Sequence, residues 1–162
     1  MAYLRKLALI AGIFVVATNA ARPARANEPP ADLCALLPAA EVSKTLGRTY
    51  DAPEKSVSPR PYANTVEGTD CHYHAKGSTL WFRAYADPSP AVATELFAKL
   101  SMFYSPKTPV AGLGDEAYFD REHALHVRKG KVRFYINLDP MNFNPTTEKQ
   151  LKDLASLVIG RL

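Results

Sequence analysis

Apolar and polar side chains alternate along Leu125-His126-Val127-Arg128 and again from Val132 to Leu138, with Lys129-Gly130-Lys131 between the two runs. A period of two places Leu125, Val127, Val132, Phe134, Ile136 and Leu138 on one face of a β-hairpin. His126, Arg128, Arg133, Tyr135 and Asn137 fall on the other. A second hairpin is predicted from Asp70–Ala75 and Ser78–Ala86, which flank Lys76-Gly77 and are rich in strand formers. On its first arm Cys71 and Tyr73 oppose His72 and His74; on its second, Leu80, Phe82 and Ala84 oppose Trp81, Arg83 and Tyr85. Glu116 to Phe119 begins a further strand.

The spacing becomes helical in three places. Residues 38–46 carry Val42 and Leu46 on one face, with Pro38 suited to a first turn and Gly47 to a stop. Residues 91–104 place Val92, Leu96, Leu100 and Phe103 in a stripe that Phe97 and Tyr104 widen, so this stripe is predicted to face the core. Thr146 or Thr147 is predicted to cap a last helix, with Leu151, Leu154, Leu157 and Val158 inward. Residues 51–69 are rich in Pro, Ser, Asn, Thr and Gly without periodicity and read as a long exposed loop, a candidate contact surface. Residues 105–114 read as a loop as well. The order helix, strands, helix, strands, helix predicts an α+β domain: an antiparallel sheet of about five to six strands, packed on one face by three helices.

The N-terminus changes the setting. Arg5 and Lys6 precede an apolar run from Leu7 to Thr18, too short for the about 20 residues a membrane span requires. Ala24-Arg25-Ala26 then offers small residues where a signal peptidase reads. We therefore expect a signal peptide over 1–26, with cleavage after Ala20 or retention as an anchor helix as the alternatives. A flexible lead-in over 27–33 and a single domain over 34–162 follow, and no other stretch is apolar enough to cross a bilayer. Cys34, preceded by Asp32-Leu33, lies too far from the apolar run to be a lipidation site. The expected product is a soluble periplasmic or secreted protein.

Four of the 20 basic residues and none of the 16 acidic ones lie in 1–26, so the remaining chain carries 16 of each. The basic excess belongs to the leader and gives no reason to propose nucleic acid as a partner. The two cysteines, Cys34 and Cys71, most simply pair with each other in an oxidising compartment, the alternative being two buried thiols.

Three segments together resemble a family of small exported domains of unknown function, common in actinobacterial cell-envelope lipoproteins. They are Cys34-Ala-Leu-Leu-Pro-Ala-Ala-Glu-Val42 with Leu46-Gly47, then Asp70-Cys71-His72-Tyr73, then Val110 to Tyr118 (VAGLGDEAY) followed by Leu125 to Gly130 (LHVRKG). The resemblance implies a Cys34–Cys71 bridge and a sheet-plus-helices domain, and it implies no activity. This chain departs from the family in lacking the lipidation cysteine.

Candidate chemistry is sparse. Gly112-Leu113-Gly114-Asp115-Glu116-Ala117 fits a dinucleotide-loop pattern in letters, but a strand-like segment follows where a helix is required, so it reads as a glycine turn. Asp115 and Glu116 would point to opposite faces of an extended chain and so would not share a substrate; Asp120 and Glu122 read as a turn acid and a solvated acid. His72 and His74 share a strand face, and with His126 they form the candidate metal set. No nucleophile motif is present, and no cofactor is indicated. The row Trp81, Arg83 and Tyr85 is either an exposed binding surface or, if a helix covers it, part of the core. The leading expectation is a non-enzymatic binding or accessory domain for an envelope protein or small ligand. A metal-binding protein using surface histidines and a hydrolase with an unrecognised site are the alternatives.

Overall fold

The computed structural model describes residues 28–63, 65–139 and 144–162, so the predicted signal peptide lies outside the described residues. A short 3-10 turn at Leu33–Leu36, within which Leu33 is buried, leads into α1 (Ala39–Leu46). Strands β1 (Glu54–Ser58), β2 (Gly68–Ala75) and β3 (Ser78–Ala86) come next, then α2 (Pro90–Phe103). Strands β4 (Thr108–Pro109), β5 (Glu116–Phe119), β6 (Leu125–Lys129) and β7 (Val132–Asp139) precede α3 (Pro145–Ile159). Every strand pair is antiparallel, and the order across the sheet is β1-β2-β3-β7-β6-β5-β4. The last strand thus returns to the centre, beside β3.

The α+β class holds, but the sheet has seven strands rather than the expected five to six. The two additional strands, β1 and β4, form the edges. Four of the five residues of β1 and both residues of β4 are exposed. Neither buries a face, so neither carries the alternation by which strands are read, and β1 lies within the stretch expected to be loop.

One face of the sheet forms the core. Cys71, Tyr73, Leu80, Phe82, Ala84, Leu125, Val127, Phe134 and Ile136 are buried there beneath Leu36, Leu37 and Val42 and the α3 residues Leu151, Leu154 and Val158. Gln150 Nε2 donates to Thr45 O at 3.1 Å, joining α3 to α1. Cys34 and Cys71 are bridged, with Cα atoms 5.8 Å apart, and the bridge ties the 3-10 turn to β2. Beside it the Tyr73 hydroxyl donates to Leu37 O. At α1 the C-cap Gly47 has φ 68°, the left-handed geometry that ends a helix. The cap of α3 is Asn144, whose side chain accepts from the amides of Thr146 and Thr147, rather than either threonine.

The helices occupy both faces, not one. Helix α2 lies across the face that the alternation marked as polar, and this rotates its buried stripe. Ala93, Leu96, Phe97 and Ser101 are inward, whereas Phe103 is 68% exposed. The stripe expected from Val92 to Phe103 assumed a wholly apolar target. The real target is aromatic and charged, and the Phe97 ring meets Tyr118 at 5.2 Å.

Candidate functional site

The strand register aligns polar side chains across the face beneath α2. Asp70 opposes Arg83, Arg83 opposes Tyr135, Tyr135 opposes His126, and His126 opposes Tyr118. The next rung runs from Tyr85 through Arg133 and Arg128 to Glu116. Arg83 and Tyr85 on β3 therefore form a checkerboard with Tyr135 and Arg133 on β7. The Arg83 guanidinium lies 5.2 Å from the Tyr135 ring centroid, and that of Arg133 lies 4.8 Å from the Tyr85 centroid. Cation–π contact stabilises both pairs.

Each arginine is also held by an aspartate. Arg133 donates to Asp87 through Nε at 2.5 Å and Nη2 at 3.0 Å, with both side chains almost wholly buried. Arg83 pairs with Asp70 through Nε and Nη2. Burial is the largest influence on Arg83 and opposes its charge, but the hydrogen bond to Asp70 and the charge interactions with Tyr135, Asp70 and Tyr85 together outweigh it and keep the guanidinium protonated. The Tyr85 hydroxyl shares a hydrogen bond of 2.8 Å with Ser58 Oγ, which fastens β1 to this face.

His126 is buried, contrary to the solvent-facing position expected of it, because α2 covers its face. Its ring stacks on Tyr118 at 4.8 Å and 8°, and Tyr135 and Tyr104 lie at 5.5 and 4.8 Å. Its Nε2 is 2.8 Å from Asp120 Oδ2, while Asp120 Oδ1 accepts the amides of Glu122 and Ala124. Burial favours the protonated acid at Asp120. The bonds from His126 and the two amides outweigh it and hold the carboxyl below its usual range. Burial pushes the phenols of Tyr104, Tyr118 and Tyr135 up, and the Tyr118 hydroxyl has no hydrogen-bond partner among the described residues.

Between this surface, α2 and the segment Ser58–Pro61 lies a cavity of about 240 Å³. Arg83, Tyr85, Tyr104, Tyr118, His126, Arg133 and Tyr135 line it, with Phe97 and Leu100 of α2 above and Arg60 at the β1–β2 connection. Part of the loop expected to be a contact surface thus supplies one wall. Two of the three residues in the proposed binding row, Arg83 and Tyr85, belong to the cavity, and Tyr85 is buried. Trp81 does not line it; its ring packs on His72 at 4.0 Å.

The histidines do not converge. His72 packs on Trp81, and His74 lies near Thr79 and Glu54 at 3.3 and 3.6 Å. His126 is separated from their strand by β3 and β7, on the order of 14 Å at the usual strand spacing. Among the described residues no group of three His, Cys, Asp or Glu side chains is placed to hold a metal ion. Nor does His126 hydrogen-bond a serine, threonine or cysteine among those residues, as nucleophile activation requires.

Asp115 and Glu116, expected to diverge, meet on one guanidinium: Arg128 Nη1 reaches Asp115 at 3.0 Å and Nη2 reaches Glu116 at 2.8 Å. Asp115 sits in the turn rather than in the strand, which frees it from the alternation. The glycine-rich segment feeds β5. Gly114 has φ 64°, and a Cβ there would lie 2.5 Å from Arg128 O, so close backbone approach requires this glycine, whereas Gly112 has φ 74° with open space around it. Sequence reasoning missed His126, Arg133, Tyr104 and Tyr118 as members of one site. The signal available was the density of aromatic and cationic residues on the polar faces of β3 and β7.

No family model matches the chain, and no curated protein does. Among solved structures its fold is similar to the crystal structure of the extracellular domain of PknH from Mycobacterium tuberculosis. The TM-score is 0.53 and the identity 12%, over 83% of this chain and 97% of that one, so the likeness is one of fold. No helix among the described residues is long and apolar enough to cross a membrane.

Proposed function

We propose that this chain is an exported, non-enzymatic binding domain that takes a small ligand into the cavity between α2, the Ser58–Pro61 segment and the β3–β7 surface. The cavity carries the reading: aromatic walls with a few convergent polar groups are the usual make-up of a small-molecule site. Export is supported by the leader-like N-terminus and by the Cys34–Cys71 bridge, which persists in oxidising compartments. The occupant is a small ligand rather than a protein because the row is recessed at Tyr85 and roofed by α2.

A fragment screen by NMR on the chain beginning at Asn27 tests this. Hits should shift resonances of Tyr85, Tyr104 and Tyr135, and Leu100→Trp, which fills the cavity from α2, should abolish them. Absence of any hit there, or hits that persist unchanged in Leu100→Trp, refutes the site. Fractionation of the producing cells, with mass measurement after alkylation, tests export; an untrimmed cytosolic chain with free thiols refutes it.

A further inference from the structure

Resting on the cavity being a ligand site, we infer that its ligand is a small organic anion: a carboxylate borne on a body the size of a single ring. The lining is asymmetric in charge. Arg60, Arg83, Arg133 and His126 line the cavity, and among the described residues no aspartate or glutamate does. The partner carboxylates Asp70, Asp87 and Asp120 lie outside the lining, so the cavity faces the cationic end of each pair.

Both buried-face arginines are paired through Nε and Nη2, which leaves Nη1 outside the ion pair. A guanidinium held in this way keeps donors for a second oxygen acceptor and gives up no side-chain entropy when it is met. Those two pairs are neutral overall, so an anion's charge requires one further cation. Arg60 supplies it. Its contact with Glu67 is 3.6 Å between half-exposed side chains, an interaction worth little and readily exchanged.

The rest of the wall sets the body of the ligand. Phe97, Leu100 and the side chains of Tyr85, Tyr104 and Tyr135 offer apolar and aromatic surface. The volume of about 240 Å³ has room for a ring with a short substituent.

The test titrates three probes of similar size, benzoate, benzamide and benzylamine, into the chain beginning at Asn27, followed by calorimetry and NMR. Benzoate should bind at least tenfold more tightly than benzamide, and benzylamine more weakly still. Arg60→Gln should weaken benzoate about threefold to tenfold and leave benzamide unchanged. Replacing a whole pair, Arg83→Met with Asp70→Leu, should cost benzoate at least tenfold without exposing a lone carboxylate. If benzamide binds in the cavity as tightly as benzoate, the cavity reading stands and the anion inference falls. Benzoate binding that ignores both arginine variants also overturns the inference. If neutral fragments occupy the cavity and benzoate does not, the inference is overturned alone; if no fragment occupies it, the cavity reading falls as well.

Discussion

The ring of Tyr85 lies directly over Gly68 on the neighbouring strand: a Cβ built at Gly68 would stand 2.6 Å from Tyr85 Cε1 and 2.8 Å from Ala84 O. The glycine is what lets the ring lie flat across β2, where its hydroxyl reaches Ser58 on β1. Gly68→Ala is therefore expected to destabilise the domain by about 1–3 kcal/mol, since the backbone carbonyl cannot move aside. The same variant should shift Tyr85 and weaken any cavity ligand. Urea unfolding reads the first effect; an unchanged midpoint would show that the strand yields without cost.

The cavity floor depends on an ion pair that water barely reaches. Removing one partner of such a pair leaves the other charge buried alone, at a cost of about 3–5 kcal/mol. Asp87→Ala should thus be severely destabilising, since Arg133 is 3% exposed. The double change Asp87→Ala with Arg133→Met should recover most of that loss. A double-mutant cycle in urea checks it; additive losses would mean that the pair contributes no coupling.

Much of the fold was legible because burial writes a period into the chain. Val127 and Ile136, or Leu80 and Phe82, point to one face, and those strands were recovered with the correct core side. Strands β1 and β4 were not, since edge strands that bury nothing carry no period. The site was half legible. Arg83 and Tyr85 stood out as polar-face residues beside apolar neighbours. That His126 and Arg133 join them follows from the β3–β7 pairing and from which face α2 chose, and neither is encoded locally. Helix α2 shows why: its stripe can be drawn through Val92 and Phe103 or through Ala93 and Phe97, and only the aromatic surface beneath selects the second.

Stability in acid should report on Asp120. Its carboxyl is held below the usual range in the folded chain, so the unfolded state takes up the proton first. The stabilisation is therefore present above the unfolded value near ~4 and is lost as pH falls through the folded value. Asp115, lowered chiefly by the Gly130 amide, adds to the same limb. Asp120→Asn should lower stability at neutral pH and flatten, without abolishing, the fall below about pH 4. An acid limb identical to the wild type would mean that the Asp120–His126 contact contributes nothing to folding free energy.

The Cys34–Cys71 bridge joins the entry segment to a core strand across a sequence separation of 37. Closing a loop of that length restricts the unfolded chain, worth roughly 3–4 kcal/mol by loop entropy. Without it the 3-10 turn is held mainly by burial of Leu33, Leu36 and Leu37 and by the Tyr73 hydroxyl. Cys34→Ser with Cys71→Ser should accordingly lower the unfolding free energy by about 2–5 kcal/mol. The cavity, built from α2 and the opposite face, should keep its ligand affinity wherever the variant stays folded. Paired urea denaturation and ligand titration separate the two quantities. Equal stability of the bridged and unbridged chains would show that the bridge adds nothing to folding, and lost affinity in a folded variant would show that the two faces of the sheet are coupled.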